Sequence, residues 1–84
     1  MNSTAPAFVV YGRPYCHLCD DLVAALRAHM GGRAYGLDIV DVDDDPALEA
    51  RYGEWVPVLF GGGERLCHYH FDALKVDEYL RKTG

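Results

Sequence analysis

The residues best suited to chemistry are the two cysteines of the segment Cys16-His17-Leu18-Cys19. This C-x-x-C pair follows an apolar run over residues 7–11 and precedes a stretch with helical periodicity. Cysteines at this spacing lie on adjacent turns of a helix, close enough to form a disulfide. If Cys16 begins the helix, unpaired backbone N–H groups and the helix dipole favour its thiolate. The pattern indicates a thiol–disulfide exchange site, although zinc sites use the same spacing.

Size and composition predict one small domain over residues 1–84. No run approaches the roughly 18 apolar residues of a membrane span, and residues 1–6, which we expect to be a loose lead-in, lack the features of a signal peptide. With 13 acidic and 8 basic side chains, the net charge of −5 disfavours binding to nucleic acid or an anionic membrane. Three cysteines are too few for a secreted disulfide scaffold. We therefore expect a cytoplasmic monomer.

The hydrophobic pattern predicts the element order β-α-β-α-β-β-α. A buried strand over 7–11 is followed by a helix from Leu18 that Gly31-Gly32 ends. The remaining predicted elements are a strand over 35–42, a helix from Pro46 to Tyr52 capped by Asp45, a strand over 56–60, an edge strand over 65–69, and a last helix capped by Asp72 with Ala73, Val76 and Leu80 on one face. Alternating strands and helices with a closing hairpin favour an α/β sandwich.

Three anchors in this order carry a resemblance to a known family. They are the C-x-x-C after the first strand, Arg13 three residues before it, and Trp55-Val56-Pro57 at the start of the third strand. The chain resembles the thioredoxin superfamily, and most closely its short glutaredoxin-like proteins. The resemblance implies a thioredoxin-like fold, in which a four-stranded mixed sheet has the first and last helices on one face and the middle helix on the other. It also implies a cis Val56–Pro57 bond packed against the cysteines.

The resemblance implies a thiol–disulfide oxidoreductase that forms a mixed disulfide with its substrate. Cys16 is expected to be the nucleophile and Cys19, one turn inside the helix, the resolving thiol. The residues predicted to bind substrate are Arg13, Tyr15, His17, Trp55, Val56 and Pro57. The expected partners are a disulfide-containing protein or a small-thiol substrate, together with a reducing thiol donor.

Two of the predicted substrate-binding residues have alternative readings. A protonated His17 would stabilise the Cys16 thiolate, or it is an ordinary surface residue. Arg13 would bind the thiolate or a substrate carboxylate, or it is a solvated loop charge. Asp20 and Asp21 act in the opposite direction from a cation, because nearby carboxylates disfavour a thiolate.

The chain departs from glutaredoxins in the regions that accept glutathione. Similar proteins commonly have Pro-Tyr between the cysteines, where this chain has His17-Leu18. Before the last helix they carry a Gly-Gly pair and an acidic turn, whereas this chain has the bulkier segment 67–72, with the sequence CHYHFD. We therefore expect weak glutathione binding, with glutathione an optional co-substrate and no built-in cofactor.

Two other classes of function remain open from the sequence. Cys67, His68 and His70 could join the C-x-x-C in a zinc site, and a metal-binding or iron–sulfur module could use Cys16 with Cys19 or Cys67. A strand would, however, point Cys67 and His68 to opposite faces, which favours Cys67 as a half-buried edge-strand residue. The third class is a redox-inert interaction domain that keeps the fold as a scaffold.

Overall fold

The computed structural model describes residues 5–83, so most of the predicted lead-in (residues 1–4) and Gly84 lie outside the described residues. The elements are β1 (Ala7–Gly12), α1 (His17–Met30), β2 (Gly36–Asp41), α2 (Pro46–Tyr52), β3 (Val58–Gly61), β4 (Glu64–His68) and α3 (Ala73–Thr83). A short 3-10 turn, Val42–Asp44, connects β2 to α2. The predicted element order is confirmed.

The strands form one mixed four-stranded sheet in the order β2-β1-β3-β4. β1 is parallel to β2 and antiparallel to β3, and β3 is antiparallel to β4. The parallel β1–β2 pair needs a crossover connection, which α1 supplies, whereas the tight β3–β4 turn suffices for the antiparallel pair. This sheet with its three helices is the expected thioredoxin-like fold.

The main core lies between the sheet and helices α1 and α3. Helical spacing puts Leu22, Leu26 and Met30 on one side of α1, and all three are buried. The rest of this buried cluster consists of Phe8, Val10, Leu59, Leu66, Val76 and Tyr79. On the other face, Tyr52 of α2 stacks on Tyr11, and both rings contact Phe60. These two layers fix the ends of β1 and β3, where the cysteines and Pro57 lie.

Most strand boundaries differ from the prediction by one residue and the start of the third strand by two, and two of these differences have a clear physical reason. The third strand begins at Val58 and not at Val56. Pro57 directly precedes it, and proline has no N–H to donate to a ladder. The second strand ends at Asp41, where the Asp41 side chain accepts a hydrogen bond from the Asp43 N–H at 2.9 Å. That cap begins the 3-10 turn and buries Val42 completely.

Helix α3 and the edge strand β2 also differ from the prediction in which residues they bury. α3 buries Val76 and Tyr79, while the predicted Leu80 is only partly covered. The Tyr79 hydroxyl is hydrogen-bonded to both the N–H and the C=O of Ala7. Ile39 of edge strand β2 is exposed. Within residues 5–83, no helix has the length and apolarity needed to cross a bilayer.

Candidate redox site

One end of the sheet carries the predicted site residues, and we call it the redox end. β1 and β4 end there and β3 begins there, because β3 is antiparallel to both neighbours. Tyr11, Val58 and His68 pair in a row across these strands. Cys16 follows β1 and Pro57 precedes β3. The register therefore brings the C-x-x-C loop, the Val-Pro segment and the β4–α3 loop together at the redox end of the sheet.

The two cysteines form a disulfide in which their environments differ. Their Cα atoms are 5.2 Å apart. Cys16 is the N-cap of α1 and is half-buried, and its Sγ accepts a hydrogen bond from the Cys19 N–H at 3.1 Å. Cys19 lies within the first turn with only 6% of its surface exposed. A substrate arriving from solvent therefore meets the Cys16 sulfur first.

Gly12 makes room for the buried sulfur of Cys19. A Cβ at position 12 would lie 3.0 Å from the Cys19 Sγ and 3.4 Å from its Cβ. Any side chain at this position would press on the sulfur, because close-packed interiors accommodate added atoms poorly. Gly12 was not among the predicted site residues, although a glycine directly after the predicted strand over 7–11 was an available signal.

Arg13 is held by partners outside the cysteine loop, in the segment from residue 43 to 53. Its guanidinium forms ion pairs with Asp43 and Glu49, the latter at 2.5 Å, and donates to the Gly53 carbonyl at 3.1 Å. The hydrogen bond that Arg13 donates to Glu49, with the negative charge of Asp43, raises the pKa of Arg13 against the opposing effect of desolvation. Neither reading of Arg13, substrate binding or a solvated charge, anticipated these partners. The carboxylates already neutralise the basic residue closest in sequence to the cysteines.

The Val56–Pro57 segment lies between α2 and β3. The peptide bond is cis and Pro57 is fully buried. The Pro57 carbonyl accepts a hydrogen bond from the Tyr69 N–H at 2.8 Å, which joins this segment to the loop after β4. Among the backbone hydrogen bonds of the loops within residues 5–83, none involves the N–H or C=O of Val56. Val56 is half-buried and follows the exposed Trp55 in the chain. Its N–H and C=O are therefore open to an extended chain.

Trp55, His68 and Tyr69 form a cluster of rings that we call the aromatic rim. Trp55 stacks on Tyr69 with centroids 6.3 Å apart, and its edge meets His68 at 5.4 Å. The Tyr69 hydroxyl donates to the Glu54 carbonyl at 2.8 Å. Trp55 and Tyr69 remain exposed to solvent. The rim is thus a preformed apolar surface beside the Val-Pro segment.

The backbone at Tyr69 is in an uncommon conformation. Its φ is 65°, and the His70 N–H donates to the His68 carbonyl at 2.7 Å around it. A positive φ at the centre of such a three-residue turn is rare and strained for a bulky residue. Tyr69 was predicted to end the edge strand over 65–69 and to be bulkier than the residues of similar proteins, but β4 ends at His68 and Tyr69 lies in this turn. The turn explains how a tyrosine there faces Trp55.

Tyr15 and His17 flank Cys16 and are both exposed. Tyr15 has a φ of 61° and its side chain is fully accessible to solvent. Leu18, between His17 and Cys19, is also partly exposed. These exposed side chains are neighbours of Cys16 in the chain, and they are available to a partner that docks at the Cys16 sulfur.

Cys67 lies on the other side of β4 from the aromatic rim. It pairs with Leu59 and is half-buried against the main core, while the neighbouring His68 joins Trp55 on the opposite face. Burial raises the pKa of the Cys67 thiol, and the negative charge of Asp72 raises it further, against an opposing hydrogen bond from the Asp72 backbone. Over residues 5–83, no three His, Cys, Asp or Glu side chains are grouped as a metal site would require.

A cavity of about 340 Å³ lies between α1 and the β1–β2 edge. Val23, Ile39 and Cys19 line it together with the charged residues Arg13 and Arg27. The buried cysteine thus borders a partly apolar space on the side away from the aromatic rim. The cavity was not predicted, because it depends on how α1 packs beside β1 and β2, which are separate segments of the sequence.

The structure places the predicted site residues in three groups. Tyr15, Cys16, His17 and Cys19 share one loop and helix start, while Trp55, Val56 and Pro57 lie on the loop before β3 at the same end of the sheet. Arg13 is engaged with Asp43, Glu49 and Gly53. The sequence analysis missed Gly12, Tyr69 and the two acidic partners of Arg13.

Comparison with known proteins agrees with this arrangement. A family model described as a glutaredoxin-like domain (DUF836) matches residues 8–81. The solution structure of protein Ne2328 from Nitrosomonas europaea is similar at 35% identity and TM-score 0.81, covering 94% of this chain and 98% of that one. Protein XcR50 from X. campestris is similar at 38% identity and TM-score 0.71, with 92% and 99% covered.

A protein with a functional name is more distant. The holo form of glutaredoxin C1 from Populus tremula x tremuloides is similar at 26% identity and TM-score 0.51, covering 95% of this chain and 78% of that one. No curated protein matches the chain. The family match spans nearly every described element, with the disulfide-bonded pair in the expected place. The chain therefore belongs to the glutaredoxin-like domain family (DUF836) of the thioredoxin superfamily.

Proposed function

We propose that the protein is a thiol–disulfide oxidoreductase that reduces a substrate disulfide with the Cys16/Cys19 dithiol. The unequal burial of the two bonded cysteines carries the proposal. Cys16 is accessible and caps α1, whereas Cys19 is buried one turn inside. Such an arrangement separates an attacking thiol from a resolving thiol.

The first step is attack by the Cys16 thiolate on a substrate disulfide. A bond forms between Cys16 Sγ and one substrate sulfur, the substrate S–S bond breaks, and the second substrate sulfur leaves as a thiolate that takes a proton from solvent. The helix N-terminus and the Cys19 N–H favour the attacking thiolate, because both place partial positive charge at Cys16 Sγ. Asp20 in the first turn opposes this effect.

The second step releases the substrate. Cys19 loses its proton to solvent and attacks Cys16 Sγ, which forms the Cys16–Cys19 disulfide and expels the remaining substrate sulfur as a thiolate. Two electrons pass from the dithiol to the substrate. A thiol donor must then reduce the protein disulfide, and such donors are abundant in the cytoplasm, where we expect the protein to act.

The open backbone of Val56 supports binding of an extended substrate chain. It lies at the redox end, just before the central strand β3, and its N–H and C=O have no partner in the described loops. An extended segment can pair with such free backbone groups through main-chain hydrogen bonds. This contact would hold the substrate disulfide in place without reading its side chains.

A single-turnover measurement tests the proposal. The reduced protein, freed of reductant, is mixed with an uncharged disulfide-bonded peptide, and the products are counted by mass spectrometry. We expect one peptide disulfide reduced per protein, with Cys16–Cys19 oxidised. Cys16→Ser should lose the reaction, and Cys19→Ser should stop at one peptide adduct on Cys16. Cys67→Ser is the matched control and should react like the unmodified protein.

The competing functions give different outcomes. Equal residual activity in Cys16→Ser and Cys19→Ser would overturn the two-step mechanism. Unreactive thiols with a stoichiometric metal in the purified protein would point to a metal-binding or iron–sulfur module. Unreactive thiols without metal would point to an interaction domain.

A further inference from the structure

The redox end has carboxylates but no lysine or arginine in the segments that frame the disulfide. Residues 14–26, 52–60 and 66–72 carry Asp20, Asp21, Glu54 and Asp72 as their acidic side chains and three histidines as their only basic ones. Arg13, just outside these segments, is paired with Asp43 and Glu49. Arg27 and Arg51 lie just beyond these segments: Arg27 lines the cavity that Cys19 also borders, and Arg51 lies over the Tyr52 ring. Within the segments themselves, a docking substrate meets carboxylates and no guanidinium or ammonium group.

The same end exposes most of the large apolar side chains that reach solvent. In the described part of the chain, the exposed large hydrophobic residues are Tyr15, Leu18, Ile39, Trp55, Tyr69 and Leu74. Four of the six lie on the cysteine loop, the Val-Pro loop or the loop after β4, and Leu74 lies in the first turn of α3. Exposed apolar residues grouped in this way mark an interaction surface.

Glu54 adds a negative charge beside the aromatic rim. The Tyr69 hydroxyl is hydrogen-bonded to the Glu54 carbonyl, and Trp55 is the next residue in the chain. An arginine or lysine over either exposed ring would gain a cation–π interaction. The Glu54 carboxylate adds Coulomb attraction for the same cation, and the acidic surface accelerates its approach.

Glutathione has the opposite charge pattern. It carries two carboxylates and one ammonium group, so binding needs cationic partners for the carboxylates. The closest guanidinium in sequence, that of Arg13, already has two carboxylates and a carbonyl as partners. Unpaired carboxylates placed near Glu54 and Asp20 would be repelled.

We propose that the substrate of this site is a disulfide-bonded polypeptide segment with arginine or lysine next to the attacked cysteine, selected by the aromatic rim and Glu54. This inference rests on the proposed function, because it names the substrate class of the same disulfide chemistry. Trp55, Tyr69 and Glu54 act as specificity-determining residues, while Cys16 and Cys19 carry out the exchange.

Three disulfide-bonded peptides that differ only in flanking charge test the inference. Their cysteines are flanked by arginine, glutamine or glutamate, and single-turnover rates with the reduced protein are measured at low ionic strength. We expect the arginine peptide to react about five- to tenfold faster than the glutamate peptide, with glutamine between them. Oxidised glutathione should be slower than the glutamine peptide. In 0.5 M salt the ratio should fall towards one, because screening weakens exposed charges.

Matched variants assign the preference to the site. Glu54→Gln should lower the arginine-to-glutamate ratio about two- to threefold. Glu64→Gln removes the same charge at the opposite end of the sheet, where Glu64 pairs with Lys82, and should leave the ratio unchanged. Trp55→Ala should slow the arginine peptide more than the glutamine peptide. Asp20 and Asp21 are left intact, because changing them would also alter the Cys16 thiolate.

The outcomes separate this inference from the proposed function. Reduction of all three peptides at equal rates, or fastest reduction of glutathione, would overturn the inference and leave the oxidoreductase proposal standing. An equal effect of Glu54→Gln and Glu64→Gln would show that net charge, and not this site, sets the preference, which also overturns it. If no peptide is reduced, both proposals are wrong.

Discussion

The two ends of the sheet use positive backbone φ angles with different residues. At the β3–β4 turn, Gly62 and Gly63 have φ values of 58° and 85°, which glycine adopts without a steric penalty. At the redox end, Tyr15 and Tyr69 have φ values of 61° and 65°. The left-handed region costs a residue with a side chain roughly 1–2 kcal/mol.

This difference separates stability from recognition in the molecule. The glycine turn packs against Tyr79, which is buried and hydrogen-bonded to Ala7. Tyr15 and Tyr69 instead expose their rings around the disulfide. Strained backbone persists at functional sites when the surrounding structure holds it in place. The turn end therefore contributes to folding, and the redox end accepts a conformational cost to present side chains to a partner.

The largest expected effect on stability is at the turn end. A Cβ at Gly61 would lie 2.7 Å from Tyr79 Cδ2 and 2.9 Å from Leu66 Cδ1. Gly61→Ala should therefore lower the free energy of unfolding by about 2–3 kcal/mol, as overpacking of a core does. Urea denaturation of the oxidised protein measures this, with Gly32→Ala as control, because a Cβ there meets no atom within 4 Å. Equal midpoints for both variants would contradict the comparison.

A smaller effect should distinguish the Cys16 thiol at the helix N-terminus from the Cys67 thiol on β4, although both are half-buried. In the reduced protein, Cys16 should titrate below the free-thiol value of about 8.5, because it caps a helix. Burial and Asp72 raise the pKa of Cys67, so its thiolate forms only at higher pH. At pH 7 alkylation of Cys16 should be at least about tenfold faster than that of Cys67, a ratio equivalent to 1.4 kcal/mol.

Peptide mapping of the alkylated protein from pH 5 to 10 measures both thiols. The same raised pKa of Cys67 predicts that stability of the reduced protein falls as pH rises above about 8.5, because the unfolded chain then loses the proton that the folded chain keeps. Modification of Cys67 or Cys19 before Cys16 would mean that the nucleophile has been wrongly assigned.

The smallest predicted effect concerns the strained tyrosine beside the disulfide. Tyr15→Gly should raise the free energy of unfolding by less than about 1 kcal/mol, because relief at φ 61° exceeds the added freedom of glycine in the unfolded chain. Tyr15→Ala keeps a Cβ at the same φ and should give no gain. Both variants should slow reduction of the arginine-flanked peptide. Tyr15→Gly and Tyr15→Ala of equal stability would remove the argument for strain.

The sequence predicted the fold well because the signals for it are local. Periodicity in α1, the cap and proline of α2, and the glycine turn each act within a few residues. The partners of Arg13 could not be predicted, because Asp43 and Glu49 lie 30 and 36 residues away in the chain. Burial of Tyr79 depends in the same way on Ala7, 72 residues distant.

For the candidate site, the sequence predicted which residues take part better than it predicted which residues contact one another. The C-x-x-C and Val-Pro motifs located the redox end, since Cys16 comes four residues after β1 ends and Pro57 directly precedes β3. The stack of Trp55 on Tyr69 depends on the turn at Tyr69. The positive φ in that turn could not be predicted, because tyrosine rarely adopts it. The third strand was predicted two residues early, because Val56 is apolar but Pro57 cannot join the ladder.

The contacts of Arg13 determine which parts of this protein can be exchanged with a relative. Its two terminal nitrogens reach a turn, a helix and a backbone carbonyl at once, which the single ammonium of lysine cannot reproduce. The cysteine loop and the 43–53 segment are therefore one module, although the sequence separates them. A chimaera that takes its cysteine loop from another family member must take the residues at positions 43 and 49 from the same source.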